Sequence, residues 1–378
     1  MKVVQAVASA PETVAEFCSK NLGTKKNGIL LAFGSSESLS GPLAGKLLAA
    51  ANSNNVLFCS TSGHFAGQQI QDEGLCLSFL EFEKTNVKVA AMDISNATES
   101  EVVGEKLANL LKGGDLRQVL VFSDGLKVNG TALANGLTKV LEKSTIISGG
   151  LAGDGSNFKR TLVGLNSLPK EGCVAVVGFY GNSLETAAAS MGGWDAFGPK
   201  RVITKSEANV LWELDGKPAL EVYKQYLGKH AAELPASALL FPLSVSMGST
   251  SHKVVRTVLS IDDKTGAMTF AGDLPVGSEV QLMKSNIDSL VSGAQGAAEK
   301  CELSGPADFA LLVSCVGRRL VMGQRTEEEI EIVQQATKSP KCAVTGFYSY
   351  GELSPQGKFE RCDLHNQTMT VTMFRESH

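Results

Sequence analysis

The 378-residue chain lacks the features that mark several protein classes. No apolar run reaches the ~20 residues that a membrane-spanning helix needs, and residues 1–22 show no signal-peptide pattern. The net charge is −4, the pI is near 5.9, and no basic cluster is interleaved with aromatic residues. Nucleic-acid-binding surfaces usually carry such clusters. We therefore expect a cytoplasmic protein that neither inserts into a membrane nor binds nucleic acid.

Motifs of metal sites and common enzymes are also missing. The eight cysteines show no Cys-x-x-Cys spacing, so we expect reduced core residues and neither a zinc site nor a disulfide framework. The chain contains no nucleophile-elbow motif and no Gly-x4-Gly-Lys-[Ser/Thr] phosphate loop. The sequence therefore favours a protein that is not an enzyme. A cysteine-dependent hydrolase using Cys315 and His365 stays open, because a nucleophile and its base need only be neighbours in space.

What the chain does contain indicates a large core. Hydrophobic residues make up 43% and charged residues only 20%, which at this length predicts two domains, residues 1–214 and 215–378. The alternation of strand and helix patterns predicts a mixed α/β (α+β) fold, with two related domains whose mixed sheets are covered by helices. Two long runs, 75–94 and 173–190, resemble antiparallel strand pairs. They favour a layered helix–sheet–sheet–helix sandwich.

One pattern occurs three times along the chain: strand, polar turn, helix, strand, then a glycine followed by a polar residue. The three copies end at Gly63-His64, Gly153-Asp154 and Gly351-Glu352. An alternative register matches residues 62–67 with 148–153. The period is too long for a solenoid and indicates duplicated subdomains. Function in such folds gathers where strand ends converge, so these turns are the places to look.

The C-terminal stretch 341–370 carries the densest set of candidate ligand groups. A short apolar run ends at Gly346, an aromatic turn closes on Gly351, and a short polar turn follows Pro355. Two aromatic rings, a carboxylate, an imidazole and an amide then lie within one predicted hairpin: Tyr348, Tyr350, Glu352, His365 and Asn366. This combination is typical of a small-ligand pocket. A capped edge hairpin with surface aromatics is the alternative.

Charged residues around the third repeat add further candidates. Arg318 and Arg319 follow Cys315, and nearby cations lower the pKa of a thiol and favour thiolate. The alternative for Cys315 is a small core residue that ends a strand. Arg318 is also a candidate partner for the carboxylate of a ligand. The acidic run 327–331 is expected to face water at the start of a helix, where negative charge complements the helix dipole.

Taken together, these motifs resemble the FIST family, the paired FIST N and FIST C module. The matching segments follow the family order over nearly the whole chain: 149–154, Gly193-Trp194, 214–220 with Tyr223, 315–318, 346–352 and 365–368. The resemblance implies a FIST N-like domain over 1–214 and a FIST C-like domain over 215–378. It also implies an intracellular sensory module for small ligands.

A chain of this length without an attached signalling domain resembles the bacterial NosP type, which implies a haem (heme)-binding nitric oxide sensor that acts through a partner histidine kinase. One departure concerns the ligand. The family's N-terminal motif usually ends Gly-Glu-Ile, whereas this chain has Gly63-His64-Phe65, and imidazole is a haem and metal ligand. His64 is the first candidate for the iron ligand and His365 the second. The other cofactor-binding candidates are Gly153, Asp154, Cys315, Arg318, Tyr348, Tyr350 and Glu352.

Two further readings stay open beside the haem sensor. The same pocket could take an amino acid or similar metabolite, with Asp154 and Glu352 as partners of its amine. A protein-interaction scaffold with an empty pocket is the other. The partners expected are a small ligand and a sensor histidine kinase, and a homodimer is left open.

Overall fold

A computed structural model describes residues 1–24, 26–234, 236–246, 253–355 and 361–377. The polar turn predicted after Pro355 falls at 356–360, outside these residues. The mixed α/β class is confirmed, with 41% strand and several mixed sheets. The helices are α1 (Pro11–Asn21), α2 (Ser36–Ser40), α3 (Pro42–Ala50), α4 (Ser100–Leu111), α5 (Gly130–Val140), α6 (Ala219–Leu227), α7 (Ile287–Glu299), α8 (Val316–Met322) and α9 (Glu327–Ala336).

Three sheets form the body of the molecule. Sheet A has the order β1 (Lys2–Ala8), β6 (Leu75–Glu81), β2 (Gly28–Gly34), β3 (Asn55–Ser60) and β10 (Val163–Leu165). Sheet B has the order β12 (Leu184–Met191), β25 (Met369–Glu376), β21 (Phe309–Cys315), β22 (Ala343–Ser349), β4 (His64–Ala66) and β5 (Ile70–Gln71). Sheet C has the order β7 (Asn86–Asp93), β11 (Cys173–Tyr180), β8 (Leu116–Ser123), β9 (Ile146–Leu151), β23 (Gly351–Pro355) and β24 (Cys362–His365).

The same arrangement underlies all three sheets. Each has a parallel pair (β2 with β3, β8 with β9, β21 with β22) flanked on the first strand by an antiparallel neighbour (β6, β11, β25). A helix connects the two parallel strands in every case, as a parallel pair requires. The parallel strands are continuous apolar runs such as Gly28–Gly34, buried along its whole length, because both of their faces are covered. These are the three repeats predicted from the sequence.

Each repeat completes its sheet with a strand from another repeat. After β3 the chain crosses into sheet B as β4, beside β22. After β9 it enters sheet A as β10, beside β3, and after β22 it enters sheet C as β23, beside β9. The exchange is therefore cyclic, and strands from both sides of residue 214 share sheets B and C. The domain boundary proposed at 214/215 stays a prediction.

The inner faces of the three sheets meet in one apolar core. Phe33 of sheet A, Phe122 of sheet C and Phe347 of sheet B contact one another, with ring centroids 4.8 to 6.1 Å apart. All three side chains are fully buried. The layering therefore goes beyond a two-sheet sandwich, because three sheets share this core and the helices cover their outer faces: α1 and α3 on sheet A, α4 and α5 on sheet C, α7 and α9 on sheet B.

Local sequence signals start several of these helices. Pro42 opens α3, where the missing N–H of proline is harmless. The side-chain oxygens of Asn129 and Asn286 accept hydrogen bonds from the backbone of Ala132 and Ser289 and so cap the starts of α5 and α7.

The predicted antiparallel pairs at 75–94 and 173–190 are wrong. In each run the two strands belong to different sheets: β6 lies in sheet A and β7 in sheet C, β11 in sheet C and β12 in sheet B. The turn between β6 and β7 is held by Glu376, whose carboxylate accepts from the backbone N–H groups of Glu83, Lys84 and Thr85. These turns connect sheets and do not close hairpins.

A fourth, curled sheet D packs against this body. Its order is β17 (Lys253–Arg256), β16 (Leu243–Ser246), β20 (Glu279–Lys284), β13 (Asp195–Glu207), β14 (Val210–Leu214), β19 (Ala267–Phe270) and β18 (Val258–Asp262), with β15 (Lys217–Pro218) beside β14. Helix α6 covers it. The fully buried Arg256 donates to the carbonyl of Leu364 at 2.9 Å and so links sheet D to sheet C.

Candidate functional site

The three repeat turns meet at the centre of the molecule. The backbone N–H of Ser62 donates to the Tyr348 carbonyl at 2.8 Å, that of Gly153 to Ser60 at 3.0 Å, and that of Tyr350 to Leu151 at 3.2 Å. Because the three hydrogen bonds form a cycle, Ser62, Gly153 and Tyr350 occupy the same position in their respective repeats. Gly63 and Gly351 are therefore equivalent, as the first register predicts, whereas Gly153 lies one position earlier. The alternative register, 62–67 with 148–153, does not correspond to these bonds.

Glu352 follows the third turn and is fully buried. It lies on β23 opposite Gly150 of β9 and His365 of β24. Its carboxyl accepts from the Ser349 hydroxyl at 2.6 Å and from the Thr368 hydroxyl and backbone N–H at 2.9 and 3.2 Å. Burial outweighs these bonds and raises the pKa of Glu352 to about 8, so the carboxyl is mostly protonated at neutral pH. We call Ser349, Glu352, Thr368 and Cys315 the Glu352 cluster.

Two buried amides lie in the turn between β24 and β25, next to this cluster. Gln367 has a left-handed backbone (φ 61°), and its side-chain N–H donates to the Leu239 carbonyl at 3.0 Å. Asn366 is fully buried, and neither its amide oxygen nor its amide nitrogen has a hydrogen-bond partner among the described residues. A buried amide without partners costs about 1–3 kcal/mol per unmade bond. Asn366 therefore has free hydrogen-bonding capacity at the centre of the fold.

Cys315 ends β21, where its backbone N–H donates to the Thr368 carbonyl at 3.1 Å. The expectation that adjacent cations favour its thiolate is wrong. Burial raises the pKa of this thiol far above its usual range, and the charge of Glu352 would add to that rise. Arg318 opposes the shift only weakly, because its charge is balanced elsewhere. A protonated thiol is a poor nucleophile at neutral pH.

Arg318 and Tyr348 are engaged in a buried network. The Arg318 guanidinium forms an ion pair with Glu329 at 2.8 Å and also donates to the carbonyls of Gly192 and Leu290. The Tyr348 hydroxyl donates to the other oxygen of Glu329 at 2.8 Å. The expectation that the whole acidic run 327–331 faces water is wrong for Glu329, which is fully buried. The network joins α8 and α9 to the strand end at Tyr348.

Asp154 and Tyr350 organise the loop after the second repeat. The Asp154 carboxylate accepts from the backbone N–H groups of Phe158, Lys159 and Arg160 at 2.7 to 2.9 Å, and the Tyr350 hydroxyl donates to it as well. The Tyr350 ring stacks on Phe158, with centroids 4.4 Å apart. Gly153 has no room for a side chain, because a Cβ there would lie 2.3 Å from the Ser62 hydroxyl. The oxygens of Asp154 are thus occupied by the protein's own backbone.

A line of polar side chains, all buried except the half-buried Thr186, runs between sheets B and C. Thr370 donates to Ser190 at 3.1 Å and Thr372 donates to Ser148 at 2.8 Å. Gln118 continues the line by donating to Ser148 at 2.8 Å and accepting from Thr186 at 2.9 Å. We call these six residues the hydroxyl seam.

The described residues of this body line, among others, three cavities. The first, about 470 Å³, is a groove at the outer end of the hydroxyl seam, between the start of β9 and the edge strand β12. The second, about 740 Å³, lies between the ends of α7 and α9, and the third, about 600 Å³, lies beside α2 and residues 72–74. None of the three is lined by Glu352, Asn366, His64 or His365.

Two known domain families match most of the chain. The FIST N domain matches residues 28–217 and the FIST C domain matches residues 219–355. The chain belongs to the FIST family. FIST domains are sensory domains that bind small ligands. The uncharacterized protein MJ1623 of Methanocaldococcus jannaschii is 26% identical over 342 aligned residues, which cover 79% of this chain and 64% of that protein's length.

The two candidate iron ligands of this FIST protein, His64 and His365, lie on different sheets. His64 is fully buried on β4, with its Nδ1 atom 3.0 Å from the Thr61 hydroxyl. Burial lowers the pKa of His64 to about 4, against smaller opposing effects from the Glu73 backbone and Asp72. His365 is buried on β24, with Nε2 3.0 Å from the Ser354 carbonyl. Neither ring lines any of the three cavities described above.

Within the described ranges of the chain, no group of three or more His, Cys, Asp or Glu side chains is placed to hold a metal ion. Among the same residues, no helix of this FIST protein is long and apolar enough to cross a bilayer. All eight cysteines are free and buried, as expected of core residues.

The structure brings Cys315, Glu352 and His365 to one region and places Gly153, Asp154 and Tyr350 in the neighbouring loop. Sequence reasoning noted Asn366 but missed the importance of Gln367, Thr368 and Glu329. Glu329 carried a usable signal, because it lies four residues before Val333 on the apolar face of α9. The hydroxyl seam carried no signal, since its residues are far apart in sequence.

Proposed function

We propose that this FIST protein is a small-ligand sensor whose recognition site is the Glu352 cluster together with Asn366. One observation carries the proposal: Asn366 is fully buried beside a carboxyl that burial keeps protonated, and neither of its amide atoms has a hydrogen-bond partner in the part of the chain that the structure describes. Natural proteins rarely retain an unpartnered buried amide, and functional sites are the usual exception. A ligand that pairs with this amide would recover the lost hydrogen bonds.

The chemistry of the site favours a small metabolite that bears an amine, such as an amino acid. An ammonium group next to Glu352 would lower the pKa of this carboxyl and convert it to the carboxylate. The amide of Asn366 can donate to a ligand carboxylate and accept from a ligand N–H. Asp154, the other candidate partner of an amine, is already saturated by backbone N–H groups.

The site is closed, so ligand entry requires a movement, and this movement supplies the signal. The turn that holds Asn366 is tied to residues 236–240 by the bond from Gln367 to Leu239. The same turn is tied to Trp194, whose indole N–H donates to the Gln367 carbonyl at 2.8 Å. A ligand at Asn366 would shift these contacts and with them sheet D, a change that a partner could read. A sensor histidine kinase is the partner that the family resemblance implies.

Asn366→Leu separates ligand recognition from folding. The leucine fills a similar volume without polar atoms, so we expect it to raise the free energy of unfolding by about 1–2 kcal/mol and to abolish the response to ligand. Thermal-shift titration with a panel of amino acids and small amines measures both effects, and Asn135→Leu on the exposed face of α5 is the control. Wild-type binding that Asn366→Leu leaves unchanged would rule out this site.

Proton release gives a second test that does not depend on a variant. If an ammonium group ionises Glu352, binding at pH 7 should release about one proton. Calorimetry in two buffers of different ionisation enthalpy reports this number. Binding with no proton release would contradict the role of Glu352. A protein that binds no member of the panel but still associates with a kinase would support a scaffold.

A haem-based nitric oxide sensor is the narrower candidate, and the neutral imidazole of His64 favours it, since neutral imidazole is the form that ligates iron. The absorption spectrum of protein expressed with ample haem decides it. A stoichiometric Soret band that shifts with nitric oxide and is lost in His64→Ala would establish this version. Colourless protein that takes up no haem on titration would reject it.

A further inference from the structure

The groove between β9 and β12 lies at a junction that the cyclic repeat forms three times. At each junction the edge strand of one sheet packs against the start of a parallel strand in the next. Gln5, Val89 and Ala188 occupy equivalent positions at these junctions. Each lies opposite a residue of the neighbouring strand, and that residue in turn lies opposite a core leucine on the first parallel strand of the same repeat. The cyclic backbone bonds likewise make Val56, Ile147 and Val344 equivalent on the facing strands.

The three junctions differ in what fills them. Where sheet A meets sheet B, the Gln5 side chain donates to the Val344 carbonyl at 2.9 Å and to Ser78 at 3.1 Å. Val89 packs against the shared core at the junction of sheets C and A. At the third junction the equivalent residue is Ala188, and both Ala188 and Ile147 line the groove of about 470 Å³. The groove therefore lies where the repeat carries its smallest side chain.

The lining of the groove combines an apolar floor with charge. Leu141, Ile146, Ile147 and the alanines of β12 supply the floor. Three basic side chains also line it: Lys143, Lys300 and Arg361. None of these three forms an ion pair with any residue in the described ranges. Two acidic residues, Glu142 and Glu302, line the groove as well, and the Glu142 carboxylate accepts a hydrogen bond of 3.5 Å from the Ser144 hydroxyl.

We propose that this groove is a second binding site and that it takes an amphipathic monoanion, an apolar chain or ring system with one acid group. The apolar part would pack against Ala188 and Ile147, and the acid group would lie among the three basic side chains. A volume near 470 Å³ falls within the range of small-molecule sites. This site is separate from Asn366 and does not depend on the proposal made for it.

Decanoate is a suitable probe, with decanol as its uncharged counterpart. We expect decanoate to bind with a stoichiometry near one in calorimetry, and decanol to bind at least ~10-fold more weakly because it lacks the charge that the basic residues attract. Decanol that binds as tightly as decanoate would overturn the assignment of an anion site.

Ala188→Gln tests the location by introducing the side chain that the repeat carries at Gln5. We expect it to fill the groove and weaken decanoate binding at least ~10-fold, while Gln5→Ala, the matched control, leaves this binding unchanged. Ala188→Gln with wild-type affinity would overturn the proposal.

Charge reversal at the rim provides a variant that cannot disturb the core. Lys143 and Lys300 are both exposed, so Lys143→Glu/Lys300→Glu should fold normally. It should weaken decanoate binding at least ~10-fold, whereas Lys106→Glu on the exposed face of α4 should not. Unchanged decanoate affinity in the double variant would refute the site even if Ala188→Gln failed to fold.

Discussion

The centre of this FIST protein contains two interfaces of opposite chemistry. The three-sheet core, where Phe33, Phe122 and Phe347 meet, is apolar and shared by all three repeats. The interface between sheets B and C instead carries the hydroxyl seam and the Glu352 cluster. All three repeats contribute to the apolar centre that stabilises the fold. They differ in the polar side chains that they bury between their sheets. The recognition site proposed above lies at this B–C interface.

The largest effect should come from the apolar side of this comparison. Phe347→Ala removes a fully buried ring from the three-sheet core, so we expect it to lower the free energy of unfolding by about 4 kcal/mol, the usual cost of such a cavity. Denaturant unfolding measures it, with the exposed Leu110→Ala as control. A loss below ~1 kcal/mol would show that the three sheets do not share one core.

The second-largest effect on stability should come from the buried ion pair between Arg318 and Glu329. Arg318→Met leaves the Glu329 carboxylate buried without its cation, which should cost about 3 kcal/mol. The double variant Arg318→Met/Glu329→Gln should recover much of this loss, because it removes both charges and keeps an amide oxygen that can accept from the Tyr348 hydroxyl. A double-mutant cycle in denaturant unfolding tests the coupling. A loss in the double variant equal to the sum of the losses in the two single variants would mean that the pair is not coupled.

Glu352 should make stability depend on pH. Its folded-state pKa of about 8 lies above the ordinary value of a glutamate, so between these values the folded protein holds a proton that the unfolded chain has lost. Stability should therefore fall as pH rises, by roughly 3 kcal/mol from pH 5 to 7.5. Glu352→Gln should flatten this dependence. A wild-type profile that is already flat would contradict the raised pKa.

The smallest effect should come from the hydroxyl seam. Thr370→Val preserves the shape of the side chain but removes its bond to Ser190, so we expect a loss of about 1 kcal/mol. The paired variant Thr370→Val/Ser190→Ala should be close to the wild type, because no polar group is left unpaired. Were the seam unimportant for packing, both variants would unfold at the wild-type midpoint.

The sequence allowed the three repeats and the mixed sheets to be predicted, because these depend on local patterns. It did not allow the partner of each strand to be predicted. The runs 75–94 and 173–190 each hold two strand patterns joined by a short turn, as hairpins do, yet each strand pairs with a segment far away in the chain. The prediction of a thiolate at Cys315 was wrong for a related reason. The neighbouring arginines indicated a thiolate, but the burial that decides the pKa of this thiol depends on the tertiary structure.

The cyclic exchange of strands also constrains how the chain can fold. The hydroxyl of Thr345 bonds to the Phe65 carbonyl, 280 residues away, and sheet B stays incomplete until β25 has been synthesised. Such long-range pairing implies a high contact order and slow folding. During synthesis the N-terminal repeat would expose unpaired strand edges, where chains aggregate most readily. We expect a strong dependence on chaperones and an all-or-none loss of structure when the last strand is removed.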